Sequence, residues 1–238
     1  MKNLLLYNDF IKETYDSFHS RIKTWGGSKN HIHRVATKLG YFTNLFKNLT
    51  PEEKVVVDWY RDSGYREIAE NLYGGRKKDK VDVYLENGKV KKLSFDLLVL
   101  KFEDIINKSI IKKDIVLWKG LRDIMELKNT SLKNIIKNMN IGDTYTFKNF
   151  LSTSLNFQYA LFSFAYHRHS DSIILKINVP SGTKGAYISH DMTENEVVLQ
   201  RNQTIKLKDI YDYDIGNHYP VTSKDLIGLL LNPTKSKY

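Results

Sequence analysis

The chain has 238 residues, with 37 Lys plus Arg against 27 Asp plus Glu, a formal charge of +10. At 41% hydrophobic and 27% charged residues its composition is that of a folded globular protein and excludes disorder throughout. The absence of cysteine excludes a disulfide scaffold, thiolate catalysis and Cys-ligated zinc. The excess of positive charge leaves three readings open: a nucleic-acid partner, a basic cleft for phosphates, or solubility alone.

At the N-terminus, Met1-Lys2-Asn3-Leu4-Leu5-Leu6-Tyr7-Asn8-Asp9 turns polar too soon for a signal peptide. No later stretch reaches the roughly 20 apolar residues of a membrane span, so a cytoplasmic protein is expected. Residues 4–25 carry apolar side chains at spacings near the helical period, until Gly26-Gly27-Ser28 breaks the pattern. Residues 31–48 resume it with Val35, Leu39, Phe42, Leu45 and Phe46. Thr50-Pro51-Glu52-Glu53 combines an N-cap threonine, proline at the first helical position and an acid at the third, which predicts a helix start. That helix is expected to pass Val56, Trp59 and Tyr60 and to end at Ser63-Gly64. A further turn carries Tyr65, Ile68 and Leu72 to Gly74-Gly75.

Arg76-Lys77-Lys78-Asp79-Lys80 reads as a solvated loop, residues 81–90 as a small hairpin around Asn87-Gly88, and residues 94–107 as a helix. Near residue 113 the chain changes character. Short strands are predicted over 114–118, 144–147, 172–179, 185–188, 196–199, 204–212 and 218–221, with helices over 131–139 and 158–167. The fold class is therefore α+β: a mainly helical region over 1–112, with the 50–75 helix packed on the core, then a two-sheet mixed β core over 113–232. Residues 233–238 are expected to fray.

Three elements of the second half carry chemistry. Leu117-Trp118-Lys119-Gly120 is read as a strand ending in a cation and a glycine. Phe150-Leu151-Ser152-Thr153-Ser154-Leu155 follows about thirty residues on. Glu194-Asn195-Glu196-Val197 comes third, preceded by Gly185-Ala186-Tyr187-Ile188. Taken singly, each has an ordinary explanation: a polar strand face, a solvated acidic edge, a core tryptophan. As an ordered set they suit displacement at a sugar C1. Two carboxylates at i and i+2 of a strand or strand end project to one side. One can stabilise an oxocarbenium-like sugar while the other takes a proton from the incoming nucleophile. The hydroxyls of Ser152 and Ser154 can hold the first carboxylate, Lys119 can pair with a pyrophosphate, and Gly120 lets a flat ring approach the backbone.

On these motifs the chain resembles the ADP-ribosyltransferase superfamily of the Arg-Ser-Glu type, which includes actin-modifying binary toxins and phage enzymes that modify host proteins. The likeness spans residues 50 to 215 and adds Gly142-Asp143, Ile173-Ile174-Leu175-Lys176-Ile177 and Pro180 in order. It implies an NAD cleft in the β core and NAD as the substrate that donates ADP-ribose, without a metal. It also implies roles. Glu196 is the catalytic glutamate, Glu194 the target-facing acid that goes with arginine as acceptor, and Ser152 the residue that orients Glu196 and binds ribose. Thr153 and Ser154 support that strand, and Gly120 holds the nicotinamide amide. Phe162 or Phe164 stacks on the ring, Arg168 contacts phosphate, and residues 189–193 form the turn that recognises the acceptor.

Two departures qualify the likeness. Lysine at 119 stands where the family has arginine, which keeps the charge and loses the planar fork. Arg122 lies three residues on as a substitute. A working variant, an inactive relic serving as a binding module, and an engineered replacement all fit that lysine. The turn His190-Asp191-Met192-Thr193 lacks the aromatic that several toxins place before Glu-x-Glu, so arginine specificity rests on Glu194. The resemblance implies an intracellular toxin or phage host-modifying enzyme, with protein arginine as the default acceptor. A nucleobase in RNA or DNA is the rival, supported by Arg76-Lys77-Lys78, Lys89, Lys91 and Lys92. An antitoxin or immunity protein is a further expected partner, and a membrane is not. His31 and His33, with His167 and His169, lack the carboxylate pattern of a metal site, and Gly26-Gly27 and Gly74-Gly75 satisfy no phosphate-loop fingerprint.

Overall fold

The structure, a computed structural model, describes residues 41–42, 48–73, 78–85, 88–121, 135–136, 138–156, 159–160, 172–188, 195–212 and 226–233. Nearly all of the helices expected over 4–25 and 31–48, the strand over 218–221 and the tail 234–238 lie outside the described residues; Phe42, expected on the second of these helices, instead forms an antiparallel bridge with Ile111. Of the helices expected over 131–139 and 158–167, residues 135–136 and 159–160 are described and helical, whereas the first helix does not reach its expected end, since Asn138 is a turn and Met139 is irregular.

The first described helix, α1 (Pro51–Trp59), starts where the sequence places it. Thr50 Oγ1 accepts from the Glu53 amide at 3.2 Å while the Thr50 amide donates to Glu53 Oε2 at 3.0 Å, so two otherwise unpaired helix-end donors are satisfied. The expected end at Ser63-Gly64 does not occur. The helix widens into a π-helical turn, Tyr60–Gly64, and continues as α2 (Tyr65–Tyr73). Gly64 allows this through its missing side chain, because a Cβ there would stand 2.9 Å from the Trp59 indole.

The hairpin follows as β1 (Lys80–Tyr84) and β2 (Val90–Ser94), closed by the Gly88 amide donating to the Leu85 carbonyl at 2.8 Å. Lys80 thus opens a strand instead of ending a loop. Ser94 caps α3 (Phe95–Asn107) by accepting from the Leu97 amide.

The β core comprises β3 (Ile115–Leu121), β4 (Thr144–Phe147), β5 (Leu151–Ser154), β6 (Ser172–Val179), β7 (Gly185–Tyr187), β8 (Glu196–Leu199), β9 (Gln203–Asp212) and β10 (Leu226–Pro233). Their order is β4-β9-β10-β6-β3-β5-β8-β7, a mixed arrangement with β10 parallel to β6 and every other adjacent pair antiparallel. The run divides into two halves at β3 and β5, which share one registered pair, Trp118 with Ser154. β10 was not expected from sequence. Its run Leu226-Ile227-Gly228-Leu229-Leu230-Leu231 shows no alternation of apolar and polar residues, so the periodicity that marks a half-buried strand is missing. Pro233, assigned to the tail, belongs to this strand and pairs with Ile205.

Two apolar clusters lie on opposite faces of the β5-β8-β7 half. One gathers Leu117, Leu121, Leu151, Leu175, Val197, Leu199 and Leu207 from both halves of the β core. The other packs Val57, Tyr60, Leu98, Phe102 and Ile106 of the helices on Phe150, Ala186, Ile188 and Val198. Val197 and Leu199 enter the first cluster and Val198 the second, the alternation a strand imposes.

Candidate active site

β5 and β8 pair antiparallel, with Ser152 opposite Val198 and Ser154 opposite Glu196. Directly opposed residues share a face, so Ser152, Ser154 and Glu196 lie on the side of the helical cluster that holds Val198. There the Ser152 hydroxyl donates to Glu196 Oε1 at 2.5 Å. Glu196 is 9% exposed, so its carboxylate meets this donor in a site with little bulk water. Thr153 faces the other way, and its hydroxyl donates to the Val197 carbonyl at 2.6 Å, tying the two strands together. Ser154 Oγ accepts from the Asn156 amide at 2.9 Å, which fixes the turn leaving β5.

Lys119 and Gly120 lie inside β3 instead of at its end, because the strand runs on to Leu121. The Lys119 ammonium donates to the Ser152 carbonyl at 2.9 Å. Burial pushes this ammonium down to about 8, while the Glu196 carboxylate opposes the shift. Ser152 is thus engaged twice, by a cation at its backbone and a carboxylate at its side chain. Gly120 stands opposite Ile174, one residue beyond Lys119 along the strand. Trp118 is half-buried and stands opposite Lys176, whose ammonium lies 5.8 Å from the indole centre and is pushed down by burial.

Of the residues the sequence singled out, the structure therefore brings Lys119, Ser152 and Glu196 together from three strands, with Gly120 beside Lys119 on β3 and Thr153 and Ser154 beside Ser152 on β5. Glu194, Phe162, Phe164, Arg168, Arg122, the turn 189–193 and the four histidines lie outside the described residues. Asn195, the residue before Glu196, has φ 46°, a left-handed conformation, and β8 begins at Glu196, so regular strand geometry does not extend back through Asn195. Among the described residues no three His, Asp or Glu side chains form a group that would hold a metal ion.

One residue of the neighbourhood escaped the sequence. Tyr60 stacks on Phe102 at 3.9 Å and meets Phe150 edge-on at 5.8 Å. Burial, and after it the Glu196 carboxylate, pushes its phenol well above the ordinary value. In sequence it sits on an apolar helical stripe, indistinguishable from core. The neighbouring Gly64 marks the turn but says nothing of what it faces.

The family model for the ADP-ribosyltransferase exoenzyme matches residues 38–227. No curated protein matches the chain. Among solved structures, Plx2a, an ADP-ribosyltransferase toxin from Paenibacillus larvae, is 17% identical with a TM-score of 0.56, over 84% of this chain and 94% of that one. C3stau2 from S. aureus, solved with NAD, is 18% identical with a TM-score of 0.55, over 84% and 94%. Vis, an ADP-ribosyltransferase from Vibrio splendidus, was solved with agmatine and is 15% identical with a TM-score of 0.55, over 89% and 88%.

Proposed function

The chain belongs to the ADP-ribosyltransferase exoenzyme family, an NAD-dependent class, and on that premise we propose that it moves ADP-ribose from NAD to the guanidinium of a protein arginine. The observation that carries the reading is the Ser152 hydroxyl on the Glu196 carboxylate with Lys119 on the same serine's carbonyl. In the reaction the bond from ribose C1 to nicotinamide breaks and its electron pair leaves with nicotinamide. The acceptor nitrogen then bonds to C1 and gives up a proton.

Glu196, held in one rotamer by Ser152, accepts from the ribose 2′-hydroxyl and stabilises the positive charge that grows on the sugar. Glu194 takes the acceptor's proton. The Lys119 ammonium pairs with the pyrophosphate, and the Gly120 backbone holds the nicotinamide amide. Thr153 and Ser154 keep β5 in register, while Phe162 or Phe164 stacks on the ring and Arg168 contacts phosphate. Agmatine carries a guanidinium, so its presence with the structurally similar Vis supports a guanidinium acceptor. The likeness to toxins supports a role as a toxin; a phage host-modifying enzyme, and action in the cytoplasm, rest on the sequence resemblance alone.

A nucleobase acceptor is the second reading. Lys80, Lys91 and Lys92 of the β1–β2 hairpin are exposed, a surface suited to phosphates. The test incubates labelled NAD with separate protein and RNA pools and compares the chain with Lys119→Arg and Glu196→Ala. Label on protein that survives RNase, and loss of label by at least about a hundredfold in Glu196→Ala, are expected. Label removed by RNase makes nucleic acid the acceptor. No NAD cleavage even by Lys119→Arg leaves the chain a binding module.

A further inference from the structure

We propose that Asn195 is a positioning residue that acts through Glu196, its left-handed backbone and buried amide setting where β8 begins and so where the carboxylate meets Ser152. The inference rests on the function proposed above. Glu196 is the first residue of β8, where strand geometry constrains a side chain from one direction only. What precedes it must supply the rest.

Asn195 has φ 46°, a conformation that costs most L residues energy and that asparagine tolerates best after glycine. It is 2% exposed, so its amide needs a partner, and Oδ1 accepts from the Tyr187 hydroxyl at 3.0 Å within the protein interior. Its backbone carbonyl accepts from the Leu155 amide at 3.0 Å, just past the end of β5. The Glu196 carbonyl in turn accepts from the Ile188 amide at 3.0 Å, just past the end of β7. The residue before the carboxylate is thus held from β5 by its backbone and from β7 by its side chain. Tyr187 is itself anchored, paired with Val197 and packed against the Phe42 ring at 5.7 Å. An asparagine with a tyrosine eight residues earlier does here what a glycine could do for the backbone alone.

The test measures steady-state NAD cleavage by the full chain and by Asn195→Ala, Asn195→Gly, Tyr187→Phe and the double variant Asn195→Ala/Tyr187→Phe, with Glu196→Gln as the floor. A misplaced carboxylate lowers kcat and leaves NAD binding intact. Asn195→Ala is therefore expected to lose about tenfold or more in kcat with KM for NAD unchanged. Asn195→Gly keeps the left-handed backbone and recovers part of the loss. Tyr187→Phe lowers kcat in the same direction, and the double variant is no worse than Asn195→Ala, since both remove one contact. Thermal unfolding is recorded for each. If Asn195→Ala does not fold, Tyr187→Phe, which leaves the backbone residue in place, decides. Unchanged kcat in folded Asn195→Ala or Tyr187→Phe, a loss confined to KM, or an additive double variant overturns the inference and leaves the transferase standing. Failure of the unmodified chain to cleave NAD removes both.

Discussion

Lys119 holds a buried ammonium against a backbone carbonyl within the field of a carboxylate, and its titration has consequences of opposite sign for stability and for binding. Its folded value near 8 lies below the ordinary 10.5. Between those values the unfolded chain binds more protons than the folded one, so stability rises with pH across that window, and the cost of the buried charge is present in full below it. Lys119→Met is expected to raise the melting temperature below about pH 8, with the gain shrinking towards pH 10.5, as thermal melts across the range will show. The proposed pairing with pyrophosphate runs the other way, because it needs the charge. We expect kcat/KM for NAD to fall as pH rises through about 8, by about tenfold, and Lys119→Arg to carry the plateau beyond that limit. A pH profile identical in Lys119→Arg would remove Lys119 from NAD binding. The identities of Ser152, Lys119 and Glu196 were legible from motif order. That the lysine's partner would be the serine's own carbonyl was not, since it depends on how far β3 runs past Trp118.

At the scale of elements, the local signals that held were those whose physics is local. The capping box at Thr50 and the Ser94 cap satisfy donors within four residues of themselves, so sequence reads them directly. The continuation of α1 through a π-helical turn into α2 was not readable, because glycine usually ends helices and here makes room for an indole. Gly64→Ala places a methyl group 2.9 Å from the Trp59 ring. Displacing that packed ring is expected to cost about 1–3 kcal/mol, read as a lower urea midpoint at constant m-value. A variant with an unshifted midpoint would mean the ring yields freely. The same turn brings Tyr60 to the aromatic cluster with Phe102 and Phe150, next in chain to the Leu151–Ser154 strand. Helix and site are joined there.

For the whole molecule, the connection that matters most came from the far end of the chain. β10 lies between β9 and β6, so the β4–β9 pair reaches the rest of the sheet through it. A chain ended at residue 225 is expected to lose cooperative thermal unfolding and to fail to cleave NAD, although every motif residue of the site is retained. Cooperative melting near that of the full chain would show that β10 is dispensable. The charge of +10 also reads differently at this scale. In the site, Lys119 is held within the field of Glu196, whereas Lys80, Lys91 and Lys92 are exposed on a hairpin outside the β core. Among the described residues, these exposed lysines thus stand apart from the carboxylate that Lys119 meets.

Sequence by itself determined the helix starts at Thr50 and Ser94, most of the described strands and the ordered set of Lys119, Ser152 and Glu196, because each is written in the periodicity or identity of nearby residues. It missed β10, whose unbroken apolar run carries no face-to-face contrast. It also carried no sign of the left-handed residue at Asn195, just before β8. Only the tertiary structure decided which face of β8 meets the helices, that Tyr60 stands within the field of Glu196, and that the two halves of the β core meet at Trp118 and Ser154. Those are relations between residues tens of positions apart, set by strand register and by what packs on each face, and no local pattern encodes them.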